Sequence, residues 1–160
     1  MRHVFLHGFA GDPANWDDVT IAGDRLVLPG HVGGGPVAPT WDDNLRAIGA
    51  RLAGADVVIG YSLGARVALG LVAAGVVPRA VLISVNPGIA DAERPARRAS
   101  DAAWAARART GGLADFLAAW QAQPLFASQA RAPADRRAAR AARRSRLAGE
   151  QLARRPGWRT

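Results

Sequence analysis

Asp56-Val57-Val58-Ile59-Gly60-Tyr61-Ser62-Leu63-Gly64-Ala65-Arg66-Val67-Ala68-Leu69-Gly70-Leu71-Val72 decides how the rest of the chain is read. Asp56 to Gly60 is a short apolar run rich in β-branched residues, the signature of a buried strand. Leu63 to Ala74 follows as a helix, with Val67, Leu71 and Val72 at helical spacing and expected to face a sheet. Between them Gly60-Tyr61-Ser62-Leu63-Gly64 fits G-x-S-x-G, in which a serine sits on a sharp turn from strand to helix. The flanking residues must be small because the backbone passes close by. The turn lifts the hydroxyl above the sheet and aims the Leu63 N–H, at a helix N-terminus, toward developing negative charge. Ser62 is therefore the candidate nucleophile-position serine, and the Leu63 amide a candidate oxyanion donor.

Working outward, Val4-Phe5-Leu6 reads as a first strand ending at His7-Gly8, and Gly8 to Asn15 as a loop. Trp16 to Ile21 is expected to be a short helix. Arg25-Leu26-Val27-Leu28 is a second strand, stopped by Pro29-Gly30, and His31 to Pro39 is a loop. Thr40 with Asp43 resembles a capping box at the start of a helix over Trp41 to Ala53. Leu45, Ile48, Gly49 and Leu52 lie along that helix, with Gly49 expected to mark close packing on the sheet. Arg79 to Ser84 is a fourth strand. The alternation predicts an α/β fold with a partial parallel sheet of about four strands and helices on both faces. All strand carboxyl ends then share one end of the sheet, where ligands bind. His7 to Gly11, Tyr61 to Gly64 and Asn86-Pro87-Gly88 meet there. The Phe9 N–H is the expected second oxyanion donor, while His7 and His31 are read as residues that fix loops. Arg66 lies four residues after Ser62, on the same helix face, where its fork suits a carboxylate.

After Ile89 the character changes. Residues 1–89 form the sheet-bearing part. Residues 90–160 are rich in Ala and Arg and read as a C-terminal helical cap over the strand ends, with an Arg-rich tail. Trp104, Leu113, Phe116, Leu117, Trp120, Leu125 and Phe126 supply its apolar faces. The net charge of +8 belongs to the tail: residues 1–130 carry 11 Arg against 11 acidic residues, residues 131–160 ten against two. No nucleic-acid motif accompanies that charge, so the tail is read as a solvated helix without a nucleic-acid partner. The 160 residues include no cysteine, which excludes disulfides and thiolate metal sites. Neither a signal peptide nor a membrane span is read, and the expected location is cytoplasmic. No metal and no cofactor is expected.

Phe5-Leu6-His7-Gly8-Phe9-Ala10-Gly11 with Trp16, Leu28-Pro29-Gly30-His31, and Gly60 through Arg66 resemble the 2-succinyl-6-hydroxy-2,4-cyclohexadiene-1-carboxylate synthases of menaquinone biosynthesis, in the α/β-hydrolase superfamily. Asn86-Pro87-Gly88-Ile89, Glu93-Arg94, Arg97, Asp101 and Trp104-Ala105 resemble the start of that family's cap. Phe116 with Trp120-Gln121-Ala122-Gln123-Pro124-Leu125-Phe126-Ala127 resembles its W-x-x-Q-P-x-F segment. The likeness is traceable further through Arg144-Ser145 and Leu152-Ala153. It implies a lyase that eliminates pyruvate from a succinylated enolpyruvyl cyclohexene acid. In that chemistry the serine, activated by a histidine, acts as the base beside the succinyl carbonyl, and the oxyanion donors hold the enolate. Carried onto this sequence, the resemblance implies Arg66, Arg97 and Arg144 as carboxylate-binding residues, and Tyr61 and Trp120 as pocket-lining ones.

Some positions depart from the family. Its Pro-Gly-His-Gly reads Pro29-Gly30-His31-Val32, and Ala65 stands where glycine is frequent. The resemblance also implies a catalytic Asp and His on later strands, with no counterpart before Thr160. Catalysis is therefore expected to be impaired; the charge jump after residue 130 and the abrupt end lead to the expectation of a truncated or frameshifted product, with the fourth strand an open edge for self-association. Two other readings stand beside the lyase: a serine esterase on the same fold, and a catalytically inactive binding module.

Overall fold

The structure is a computed structural model that describes residues 1–139 and 141–142. It divides into two compact units, Met1–Ile89 and Ala90–Thr160. The first holds strands β1 (His3–Leu6), β2 (Asp24–Leu26), β3 (Val57–Tyr61) and β4 (Ala80–Ile83), with helices α1 (Trp41–Arg51) and α2 (Leu63–Ala73). All strand pairs are parallel, in the order β2-β1-β3-β4.

This order explains where the helices lie. Helices were expected on both faces, but α1 and α2 share one. From β2 over β1 to β3, and from β3 to β4, the chain advances in one direction, and crossovers of constant hand then place their helices on the same face. That face carries Val4, Leu6, Val58, Ala80 and Leu82, packed with Leu45, Ile48, Leu52, Val67, Ala68 and Leu71 of the helices. Only the β1-to-β2 connection runs the other way, and it covers the opposite face: Trp16 packs with Phe5 and Ile59. On that second face Val81 and Ile83 are 48% and 40% exposed, and among the described residues no strand pairs with the outer edge of β4.

The connection itself departs from expectation. Trp16 ends a 3-10 turn, Pro13–Trp16, and does not begin a helix. Asp12 caps the turn by accepting the Ala14 N–H at 2.9 Å, and Pro13 supplies the fixed φ of a first turn. Val72 is exposed, and the buried stripe of α2 is formed by Val67, Ala68 and Leu71, with Gly64 and Ala65 at its start. The close approach at Gly49 is to Val76, beyond the end of α2, and not to the sheet: a Cβ there would stand 2.8 Å from Val76 Cγ1. Thr40 caps α1 by accepting the Asp43 N–H at 3.1 Å, and its hydroxyl donates to the Asp43 carboxylate at 2.6 Å.

The second unit is helical where described. Its helices α3 (Arg94–Thr110) and α4 (Gly112–Gln121) are followed by a 3-10 segment, Pro124–Arg131. Phe116 and Leu117 are buried, and Trp104, Phe116, Trp120 and Phe126 stack or meet edge to face. Leu125, expected on an apolar face, is 79% exposed. Among the described residues no helix is long and apolar enough to cross a membrane.

Candidate active site

The strand order reverses between β1 and β3: the chain leaves β1 toward one edge of the sheet and β3 toward the other. Such a switch point opens a crevice at the carboxyl ends of the two strands. Both oxyanion candidates and the serine lie on those two ends.

Ser62 joins β3 to α2 at φ 53° and ψ −109°, a conformation that costs an L-residue on the order of 1–3 kcal/mol. Three glycines allow it. A Cβ on Gly64 would stand 2.2 Å from the Leu6 carbonyl oxygen and 2.7 Å from that of His7, so the first turn of α2 lies directly on the backbone of β1. A Cβ on Gly60 would meet the Gly64 carbonyl oxygen at 2.3 Å. Gly8 passes the elbow closely enough that its Cβ would reach Tyr61 Cδ1 at 2.9 Å and Ser62 Cβ at 3.4 Å. The sheet holds the serine from the other side, through the Ser62 N–H donated to Ile83 at 2.9 Å.

The Ser62 side chain does not cap its own helix. The Leu63 N–H, first in α2, has no intrahelical acceptor and carries the positive end of the helix dipole. Arg66 is exposed, one turn further on, and its backbone N–H donates to Ser62 at 3.1 Å.

The loop after β1 is held by two histidines. His7 is fully buried, and both ring nitrogens are used: Nε2 accepts the Leu28 N–H at 3.1 Å and Nδ1 bonds the Gly8 carbonyl at 2.8 Å. Nδ1 therefore carries the proton. Burial, opposed by the Gly8 bond, pulls this imidazole down to about 4, and the neighbouring His31 pushes the same way. His31 is arranged likewise, accepting the Ala10 N–H on Nε2 at 3.2 Å and bonding the Pro29 carbonyl through Nδ1 at 3.2 Å. Burial lowers its pKa too. His3 bonds the Ala22 carbonyl. None of the three histidines is hydrogen-bonded to Ser62.

The structure thus gathers Ser62, Leu63, Tyr61, Arg66 and the Gly8–Phe9 segment in the first unit. Arg97 and Trp120 belong to the second. Arg97 is engaged there by Asp101, with Nε donating to both carboxylate oxygens at 2.9 and 3.0 Å. Trp120 lies parallel to Phe116, ring centroids 5.8 Å apart. Arg144 lies outside the described residues. The bond from Ala10 to His31 escaped the sequence reading, because its partners are 21 residues apart with no shared periodicity.

Comparison with known proteins agrees with this architecture. Residues 4–160 match the model of the "Alpha/beta hydrolase family". The chain is 40% identical over 166 residues to a 2-succinyl-6-hydroxy-2,4-cyclohexadiene-1-carboxylate synthase of Klebsiella pneumoniae (strain 342), covering 94% of this chain and 64% of that protein. It is 36% identical to the synthase of the same name from Salmonella agona (strain SL483), with the same two coverages, 94% and 64%. The solved structure of MenH from S. aureus superposes with a TM-score of 0.72 at 28% identity, over 84% of this chain and 57% of that one. The chain spans less than two thirds of the length of these relatives. With a family match over nearly its whole length and a strained serine at the switch point of a parallel sheet, the chain belongs to the alpha/beta hydrolase family.

Proposed function

We propose that the chain carries the serine-bearing part of a lyase of the kind its relatives are named for, one that eliminates pyruvate from a succinylated enolpyruvyl cyclohexene acid. The observation that carries this reading is the Ser62 elbow: a strained serine at the N-terminus of α2. In this reading the Leu63 and Phe9 amides stabilise the negative charge that develops on the succinyl carbonyl oxygen when the adjacent carbon loses its proton. Donors placed for an oxyanion suit an enolate oxygen equally well. Tyr61 lines the site beside the serine. Arg66 supplies a cation one helical turn from Ser62 and would bind a substrate carboxylate, and the family resemblance adds Arg97 and Arg144 as carboxylate-binding residues and Trp120 as a pocket-lining one. An exposed guanidinium beside the serine favours a polycarboxylate over the neutral ester an esterase would take.

A second reading, binding without efficient turnover, is favoured by one observation: all three histidines of this sequence are bonded elsewhere. A serine hydroxyl without a neighbouring base is a weak base or nucleophile. Pyruvate release from the succinylated acid by the purified chain, with Ser62→Ala beside it, tests both readings. Release abolished by Ser62→Ala supports the lyase. Substrate binding weakened by Arg66→Ala, with no release and no effect of Ser62→Ala, supports the binding module. Hydrolysis of p-nitrophenyl esters in place of pyruvate release would overturn both in favour of an esterase.

A further inference from the structure

The loop after β1 contains a tight turn whose conformation is unusual for its sequence. The Gly11 N–H donates to the Gly8 carbonyl at 3.1 Å, closing a four-residue turn over Phe9 and Ala10. Ala10, third in the turn, has φ +54°, whereas Phe9 is not among the residues with positive φ. That combination is a type II turn, which ordinarily places glycine third. An alanine there costs roughly 1 kcal/mol. The type I alternative differs by a flip of the central Phe9–Ala10 peptide and would return Ala10 to a negative, unstrained φ.

His31 opposes that flip. The central peptide offers its Ala10 N–H to His31 Nε2 at 3.2 Å. The Pro29 carbonyl takes the proton on Nδ1, so Nε2 is left as a bare acceptor. Flipping the peptide would replace the N–H with the Phe9 carbonyl and set two lone pairs against each other. The Phe9 ring meets the same imidazole edge to face at 6.2 Å. One hydrogen bond of this kind contributes about 1 kcal/mol, which offsets the strain at Ala10, and the lone-pair repulsion of the flipped form tips the turn to the observed orientation.

We propose that His31 is the positioning residue of this loop, holding the Phe9–Ala10 peptide in its strained orientation, and that protonation of His31 releases the peptide to flip. A protonated Nε2 is a donor. It repels the Ala10 N–H and attracts the Phe9 carbonyl, so the sign of the preference reverses. The titratable groups around it are His7, edge-on with ring centroids 4.6 Å apart, and Asp12, whose charge acts on His7. The Phe9 N–H, the proposed oxyanion donor, belongs to the preceding peptide, so the flip does not rest on that role.

The test is by NMR on the full chain. A type II turn gives a strong nuclear Overhauser effect between Phe9 Hα and the Ala10 amide proton, and a type I turn gives a weak one. At neutral pH the wild type shows the strong effect. As pH falls it weakens with the midpoint at which the His31 ring nitrogens titrate, while the Val58 amide, bonded to Arg79 in the sheet, stays folded. His31→Leu shows the weak effect at every pH, with exchange of the Ala10 amide roughly tenfold faster, and His31→Gln, which keeps an acceptor, largely restores the strong one. Ala10→Gly removes the strain and keeps the strong effect even in combination with His31→Leu. A merely structural histidine would not be bypassed by that substitution. Retention of the strong effect in His31→Leu, or a change that does not track His31, overturns the proposal. Should His31→Leu fail to fold, the wild-type titration decides alone. Ser62→Ala leaves all of these signals unchanged, so failure of the lyase reading and failure of the flip are separable.

Discussion

Replacing Gly64 by alanine should destabilise the first unit far more than an ordinary glycine substitution. The added Cβ would stand 2.2 Å from the Leu6 carbonyl oxygen, 2.6 Å from its carbon and 2.7 Å from the His7 carbonyl oxygen. These are backbone atoms at the end of a strand paired on both sides, so no rotamer change relieves the overlap. Overpacking typically costs about 1–3 kcal/mol, and contact with an immobile backbone places this case at or above the upper end. Helix propensity returns at most ~1 kcal/mol, leaving a net loss of about 2–3 kcal/mol. Two controls separate the clash from the chemistry of glycine. Gly33 has φ +85° with nothing within 4 Å, so alanine costs only the conformational penalty, roughly 1 kcal/mol. Gly88 has neither a positive φ nor a neighbour within 4 Å, so alanine there changes stability by no more than about 0.5 kcal/mol. In urea unfolding followed by circular dichroism, with a slope of about 1–3 kcal/mol/M, Gly64→Ala should lower the midpoint by roughly 0.7–3 M. A midpoint equal to that of Gly88→Ala would refute the idea that α2 rests on the β1 backbone.

Ser62→Gly should be more stable than Ser62→Ala: glycine relieves about 1–3 kcal/mol of strain, less about 0.4–1 kcal/mol of unfolded-state entropy, and equal thermal midpoints would contradict the strained elbow. His7, with its pKa pulled from 6.5 to about 4, stays neutral in the fold while the unfolded chain takes up a proton. Its contribution is thus fully present above about pH 6.5 and is lost as pH falls toward 4, a change of about 3 kcal/mol; urea midpoints constant over that window would refute it. At the β4 edge, self-association is expected to involve Val81 and Ile83, so the double substitution to arginine should lower the mass measured by analytical ultracentrifugation, and an unchanged mass would count against that surface.

The elbow was legible in the sequence because its constraints are local: a strand, a serine with a glycine two positions away on either side and a helix follow one another within a dozen positions. The placement of α1 and α2 on one face was not, although the rule behind it is simple. It depends on strand order, which no stretch of this sequence encodes by itself. The short helix expected from Trp16 onward failed for a readable reason. Asp12-Pro13 is a cap followed by a first-turn residue, and it places the helical turn three residues earlier. Val72 satisfied helical spacing yet is exposed, since an 11-residue helix on one face of a sheet buries a narrow stripe that Gly64, Ala65, Val67, Ala68 and Leu71 already fill. Arg97 was singled out by its match to a family position, and the structure adds its partner Asp101, one helical turn away in the same helix, a pairing the i,i+4 spacing allows.

Among the described residues, the three non-glycine positions with positive φ are Ala10, Ser62 and Ser84. Each lies beyond the carboxyl end of a different strand: β1, β3 and β4, which are neighbours in the sheet. Elsewhere among the described residues the backbone enters this region at glycines, Gly30, Gly33, Gly35, Gly54, Gly75 and Gly112. Turn geometry alone therefore does not explain the three exceptions. A side chain at such a position carries a conformational cost that glycine would avoid, and that cost persists only where surrounding contacts fix the backbone. At Ser62 those contacts are the Gly60 and Gly64 approaches and the Ile83 carbonyl; at Ala10 they are the Gly8 carbonyl and His31. Ser84 directly follows the residue whose carbonyl receives the Ser62 N–H, so strain after β4 borders strain after β3. The backbone cost is thus concentrated along one rim of the sheet, the rim where a parallel sheet binds its ligand.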